Sequence, residues 1–453
     1  MVLEHGDKYM KPSKFNFELI HDSNLLIFNC KTCGFAKLDG ETISQYRKLT
    51  RCSQYIQENS ELSSLVKELS RGGFLVEDDE NELETLRILE MISRYRTNAI
   101  DLTIAPTLDC NLNCIYCYEM KQKAPRMMNK EVAKKLIDFL DKKLVGTENL
   151  HVVWYGGEPL LAPKVIFNLS KSFTKLCDKH ECSYFTTIVS NCYLLDKPLA
   201  EKLKEDCRIE SVQVTIDGPQ EVHDKRRPLR SGKGSFEKIV ENLKEVCDII
   251  KVVIRVNIDM RNIPYISQLL DFLSDEGFMR RCQLSFGRIH PYTDACKSVS
   301  GYCYTDEMYS KKEVELYKMA LSKGFEVKKY PIPVQSYCGA VSLNSFIVDP
   351  EGNFYKCWGT LSDETEIVGS LDQPEFYSKK FFKWMSWNPF EFEECRKCNI
   401  FPICKGGCPY RGFKEGRTAH CLEWKYNLIE MLKLFYLSQL MHPEQWAERG
   451  ALP

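Results

Sequence analysis

Cys110, Cys114 and Cys117, in the run Thr107-Leu-Asp-Cys-Asn-Leu-Asn-Cys-Ile-Tyr-Cys-Tyr118, are spaced C-x3-C-x2-C. That spacing offers three thiolates where a cubane iron–sulfur cluster normally takes four, which leaves one iron open to a small molecule. A structural zinc site is the competing reading, but it is usually closed by four ligands. No further cysteine precedes Cys177, and the histidine of that interval, His151, stands in a strand-like run. A trio of buried thiols packed as small hydrophobes is the other alternative.

A second array lies toward the C-terminus. Cys338 is followed by Gly352 and Cys357, then by Cys395-x2-Cys398-x5-Cys404-x3-Cys408 and finally Cys421. A zinc ribbon could use Cys395, Cys398, Cys404 and Cys408, which would leave Cys338, Cys357 and Cys421 unexplained. The chain holds 21 cysteines in 453 residues, of which ten fall into these two arrays. The others are Cys30, Cys33, Cys52, Cys177, Cys182, Cys192, Cys207, Cys247, Cys282, Cys296 and Cys303. So many thiols without a signal peptide point to metal or redox chemistry in a reducing, cytoplasmic setting rather than to a disulfide framework.

The elements that must position these cysteines are legible in the periodicity. Between about residues 100 and 290, β-rich runs alternate with amphipathic stretches. The runs start at Ile100, Leu150, Phe185, Ser211, Val252 and Gln283, and the stretches include 131–144, 201–205 and 236–246. Six such βα units predict a partial parallel α/β barrel, with its chemistry at the C-terminal ends of the strands, where the first cysteine trio falls. Before it, 15–20, 24–29 and 34–38 read as strands, 41–47 and 61–69 as helical segments, Gly72–Val76 as a wing, and 79–94 as an acidic helix. The expected segments are 1–95, 96–310 and 311–453. Lys plus Arg number 62 against 63 for Asp plus Glu, which argues against a nucleic-acid partner. No apolar run reaches the roughly 18 residues needed to span a bilayer, which argues against a membrane role.

The C-x3-C-x2-C spacing resembles the hallmark of the radical S-adenosylmethionine (SAM) family, in which SAM chelates the open iron of a [4Fe–4S] cluster. A second run, Trp154-Tyr155-Gly156-Gly157-Glu158-Pro159, ends a predicted strand and resembles the GGE motif of the family. Thr215-Ile-Asp217-Gly218-Pro219, followed by His223 and Arg227, resembles the family's S/T-h-D-G segment.

By this resemblance Cys110, Cys114 and Cys117 hold the cluster and Tyr116 lies near the adenine. Gly157 and Glu158 meet the SAM ammonium, Thr215 the ribose and Arg227 the carboxylate. Asn191, Asn257, Leu284 and Phe286 are candidates for the remaining contacts. His223 is expected to be structural.

The second array resembles the SPASM extension, which binds two auxiliary [4Fe–4S] clusters, for three clusters in all. The resemblance implies Cys338, Cys357 and Cys408 at one, and Cys395, Cys398, Cys404 and Cys421 at the other. Cys303 is the nearest upstream candidate for a missing ligand or base, and without it the open iron could bind a substrate thiolate. Residues 1–95 resemble the winged-helix-like modules that capture the leader of a precursor peptide.

Together these imply a partial (β/α)6 radical SAM barrel between a peptide-recognition module and a cysteine-rich iron–sulfur domain. The implied enzyme uses a 5′-deoxyadenosyl radical to crosslink a ribosomally made peptide, first of all by a Cys thioether, with flavodoxin or ferredoxin as electron donor. The enzymatic rival is an anaerobic sulfatase maturase that forms formylglycine. That group places an Asp directly after the G-x4-C cysteine, where Trp358 stands here. The non-enzymatic rival, an iron–sulfur electron carrier, leaves Gly156-Gly157-Glu158 and Thr215–Arg227 without a role.

Overall fold

The computed structural model describes residues 8–51, 54–56, 63–119, 126–291, 296–332, 338–361, 363–374, 376 and 378–441; Cys52 lies outside them. Where the sequence suggests three consecutive segments, the chain packs as two compact units, each drawn from distant stretches. One comprises 1–94, 329–337 and 388–453, the other 95–328 and 338–387.

In the first unit, β1 (Lys8–Pro12) pairs with the two short strands β5 (Gln54–Ile56) and β6 (Leu75–Glu77) in a three-stranded antiparallel sheet. A second sheet has the order β2 (Asn16–His21), β3 (Asn24–Asn29), β4 (Phe35–Leu38). The strands at 15–38 and the wing match the periodicity, whereas β1 and β5 do not show in it. β5 spans only three residues, and β1, Lys-Tyr-Met-Lys-Pro, does not alternate apolar with polar residues. The apolar run of β3 has a direct cause, because both of its faces are buried. Leu26 and Phe28 pack with Phe15, Leu428 and Leu432, while Leu25 and Ile27 pack with Tyr46, Leu49, Leu69 and Phe74.

The second unit is built on a nine-stranded sheet. Six parallel strands form its body: β7 (Ala99–Ile104), β8 (Asn149–Trp154), β9 (Ser183–Val189), β10 (Ile209–Thr215), β11 (Lys251–Ile258) and β12 (Cys282–Arg288). Each coincides within a few residues with a run read from the sequence. The helices Lys130–Lys143, Pro163–His180, Lys197–Cys207, Phe236–Val246, Ile266–Asp275 and Asp306–Ser322 follow the strands in turn. Parallel neighbours need such crossovers. Several of these helices start where the sequence signals a start: the side chains of Asn129, Asp196 and Thr305 accept backbone N–H groups of the first turn.

A hairpin turns at Gly352, between Cys338 and Cys357, as an extension of this sheet. β13 (Ser345–Val348) pairs in parallel with β7, and β14 (Asn353–Tyr355) and β15 (Gly369–Ser370) continue the sheet. Gly352 turns the hairpin at φ +86, a conformation that L side chains rarely adopt.

Candidate functional site

A cavity of about 530 Å³ opens at the C-terminal ends of β7 to β12. Cys110, Cys114, Cys117, Tyr116, Gly157, Asn191, Thr215, Arg227 and Asn257 all line it. Residues as distant in sequence as Cys110 and Asn257 meet because parallel strands deliver all their C-terminal loops to one side of the sheet.

The cysteine loop is fastened to the two segments that flank it. The N–H groups of Gly157 and Glu158 donate to the carbonyls of Thr107 (3.2 Å) and Asp109 (2.8 Å). This contact is why glycines stand there. A Cβ on Gly156, whose φ is +114, would lie 2.3 Å from the Thr107 carbonyl, and one on Gly157 would lie 2.2 Å from that of Asp109. On the other side the N–H groups of Asn113 and Ile115 donate to the carbonyls of Pro228 (2.8 Å) and Arg226 (3.0 Å), and Arg230 pairs with Asp109 at 2.5 Å.

Glu158 lies beneath the cavity wall, 1% exposed. One of its carboxylate oxygens accepts from the Leu160 N–H (3.0 Å) and the Ser190 hydroxyl (2.9 Å), the other from the Asn191 N–H (2.7 Å). Its visible work is to hold the end of β9, where the Asn191 side chain in turn donates to Asn111 (2.7 Å). Leu284 and Phe286 do not line the cavity. They pair with Ile254 and Val256, and Phe286 packs edge-on against Tyr317. Side chains alternate across a strand, so Asn257 faces the cavity and its neighbours face away.

The Tyr116 hydroxyl is a meeting point for polar groups. It is hydrogen-bonded to Asp217 and accepts from Arg227 (2.9 Å) and Asn257 (3.3 Å). His223 is fully buried. Its Nδ1 accepts the Asp217 N–H at 3.3 Å, which leaves Nε2 to donate to the Ser235 hydroxyl (3.2 Å), and that hydroxyl donates to the Arg227 carbonyl (2.6 Å). Burial, and then the Arg227 and Arg226 charges, push its pKa well below 6.5.

Burial, and then the Glu158 carboxylate, pushes the Cys110 thiol up to about 12. Burial also raises Cys114, against Arg227, and raises Cys117. Thiolates here call for positive charge, which a bound metal cluster would supply. The donors suit one: the Leu112 N–H points at the Cys110 sulfur at 3.5 Å, and the Asn191 amide at 3.9 Å. Among the described residues, no group of three or more His, Cys, Asp or Glu could hold a single metal ion. A cluster with its own iron–sulfur frame needs wider ligand spacing than one ion does.

Several lining residues escaped the sequence reading: Tyr118, Glu119, Tyr155, Arg255, Arg288 and His290. Arg255 lies across Gly287, where a Cβ would stand 1.5 Å from the guanidinium. Burial pushes Glu119 up to about 8, against a hydrogen bond from Tyr155. An Arg two residues before Asn257 in a strand is a signal that alternation could have supplied.

Cys303 does not line this cavity. It packs with Ile289, Cys296, Val299, Tyr116 and Tyr118, and its thiol donates to the Val299 carbonyl at 3.4 Å. Cys338 and Cys357 belong to the barrel unit and Cys408 to the other. In that other unit Cys395, Cys398 and Cys404 share a core with Cys30 and Cys33, two thiols no sequence motif had singled out. Cys421 stands near Cys395 and Cys404, and the Lys425 ammonium donates to the Cys398 sulfur at 3.3 Å.

Residues 104–273 match the family model described as the Radical SAM superfamily. The chain carries a radical SAM domain. It is 22% identical over 357 residues to the cysteine-type anaerobic sulfatase-maturating enzyme of Clostridium perfringens, covering 72% of this chain and 93% of that relative. It is 24% identical over 441 residues to the radical SAM cyclopropyl synthase TigE of Paramaledivibacter caminithermalis, covering 85% of this chain and 86% of that one.

Among solved structures, native anSMEcpe with bound AdoMet matches with a TM-score of 0.56 at 21% identity, over 77% of this chain and 99% of that one. Streptococcus suis SuiB bound to precursor peptide SuiA matches with a TM-score of 0.50 at 16% identity, over 91% and 98%. At such identities the two structures speak for a shared fold. Among the described residues, no helix is long and apolar enough to cross a membrane.

Proposed function

We propose that this enzyme crosslinks a ribosomally made precursor peptide, joining a Cys sulfur to a peptide carbon. The observation that carries the radical chemistry is the single cavity lined by Cys110, Cys114, Cys117, Gly157, Thr215, Arg227 and Asn257. Cys110, Cys114 and Cys117 would hold a [4Fe–4S] cluster there. With SAM bound it would supply a 5′-deoxyadenosyl radical that takes hydrogen from a peptide carbon. The chain's own residues shape that event. Arg227, fixed by Tyr116 and by the Ser235 relay to His223, presents a cation for the SAM carboxylate. Glu158 and Asn191 hold the loop that lies over Cys110.

Two findings support a leader-bearing peptide over a sulfatase. Trp358 lines the cavity where the maturases place an acid. The likenesses to TigE and SuiB extend over more of this chain than those to the maturases. In this reading residues 1–95 capture the leader, the cysteines from Cys338 onward hold two auxiliary clusters that would take the second electron as the C–S bond forms and the thiol proton leaves to solvent, and a flavodoxin or ferredoxin supplies electrons for the first cluster. Formylglycine formation is the second reading, favoured by the maturase relatives.

Reconstituted, reduced enzyme incubated with SAM should release 5′-deoxyadenosine, and its absence under every reductant would remove the radical reading. Co-expression with a short Cys-bearing reading frame from beside the gene should give a peptide lighter by two hydrogens per crosslink. An aldehyde in place of a crosslink would favour the maturase reading.

A further inference from the structure

We propose that Glu119, with Tyr118, Tyr155 and Trp358, forms a subsite for a substrate side chain that carries a hydrogen-bond donor. In the crosslinking reading, on which this inference rests, that group is the reacting Cys thiol. All four residues line the cavity. Glu119 is only 9% exposed, and its Oε1 has no hydrogen-bond partner. A buried carboxylate oxygen without a donor is costly, and a ligand that donates to it recovers that cost.

The surroundings set what kind of ligand fits. The Tyr118 and Tyr155 hydroxyls are hydrogen-bonded to each other, and the Tyr155 ring lies 4.2 Å from that of Trp358. Trp358 remains 37% exposed, so a face is available to a guest. The wall is therefore aromatic with one acceptor set into it, which suits a short apolar side chain ending in S–H or O–H. Arg227, Arg230, Arg255 and Arg288 also line the cavity and supply the cationic groups that a carboxylate-bearing cofactor wants. The cofactor and the peptide side chain thus have chemically distinct places in one cavity. Glu119 also follows Cys117 by two residues, which sets the subsite beside the cysteine loop.

The test uses the full-length, cluster-loaded enzyme with SAM. The probe is the Cys-bearing peptide that co-expression identifies as substrate, compared with its Cys→Ala variant at the crosslinked position. Wild type should bind the Cys peptide more tightly, by roughly fivefold for one hydrogen bond to a buried acceptor oxygen. Glu119→Leu, which keeps the bulk and removes the acceptor, should erase most of that preference while iron content and SAM affinity stay within about twofold, since the fold and the cysteine loop are intact. Trp358→Ala should weaken both peptides alike. The inference is overturned if wild type binds the two peptides equally, if Glu119→Leu keeps the preference, or if it loses SAM along with the peptide. Failure of the crosslinking reading would show separately, as an unmodified mass in the wild-type reaction.

Discussion

Gly157→Ala isolates the contact between the second strand and the cysteine loop. The added Cβ would lie 2.2 Å from the Asp109 carbonyl oxygen, 2.6 Å from its carbon and 2.7 Å from the Leu108 carbonyl oxygen. These are backbone atoms, so no side chain can swing aside, and the loop carrying Cys110 must retreat by about 1 Å to restore contact distance. Overpacking of this kind costs about 1–3 kcal/mol, which a domain of this size survives. The chemistry is more sensitive, because a misplacement of about 1 Å can cost on the order of a hundredfold in rate. The assay is 5′-deoxyadenosine release by reconstituted enzyme, with iron content and thermal unfolding measured on the same samples. Gly146→Ala is the control. Its φ is +74 but nothing lies within 4 Å of the new Cβ, so it should cost about 1 kcal/mol of backbone strain and leave the rate alone. Unchanged iron content and a rate within about twofold for Gly157→Ala would show that the loop is not held by this contact.

Gly287→Ala should imitate Arg255→Met. A Cβ 1.5 Å from the Arg255 guanidinium must displace that flexible side chain, so the two changes should alter SAM affinity alike and fail to add when combined. Arg227→Met should weaken SAM binding by roughly tenfold or more, as loss of a charge-assisted contact would, read by equilibrium dialysis. The pH dependence of stability should carry the mark of His223. Its folded pKa is lowered by burial and by Arg227 and Arg226, so below about 6.5 the unfolded chain binds a proton that the folded chain refuses. Stability present above that pH should fall with acidification by up to about 1.4 kcal/mol per pH unit, measured by denaturant titration. That slope should be absent in His223→Gln, and its persistence there would assign it to another group.

The barrel strands were legible because buried parallel strands carry dense runs of β-branched residues, as in Lys251–Ile258. The cysteine loop, the Gly-Gly turn and the Thr215–Arg227 segment were legible because each is a contiguous stretch whose spacing is fixed by local geometry. β1 and β5 were not, since their partners lie some tens of residues away and neither stretch alternates apolar with polar residues. Leu284 was misread for a related reason. Its strand was visible, but which face of that strand meets the cavity depends on register with β11. The role of Glu158 shifted for a similar cause, because the Ser190 and Asn191 donors that occupy its carboxylate come from the end of β9, not from its own segment.

By itself, the sequence determined the residue types and their spacing: three thiols as C-x3-C-x2-C, followed by glycines and an arginine, in an alternation of strands and helices. Local spacing suffices for that, because a loop and a turn are short-range objects. Only the tertiary structure decided which distant residues share the cavity. It set Arg255 over Gly287, turned Glu119 toward the space beside Tyr155 and Trp358, and brought Cys30 and Cys33 into one core with Cys395, Cys398 and Cys404. Those neighbours come from sheet register and packing between elements, which no single stretch of chain encodes.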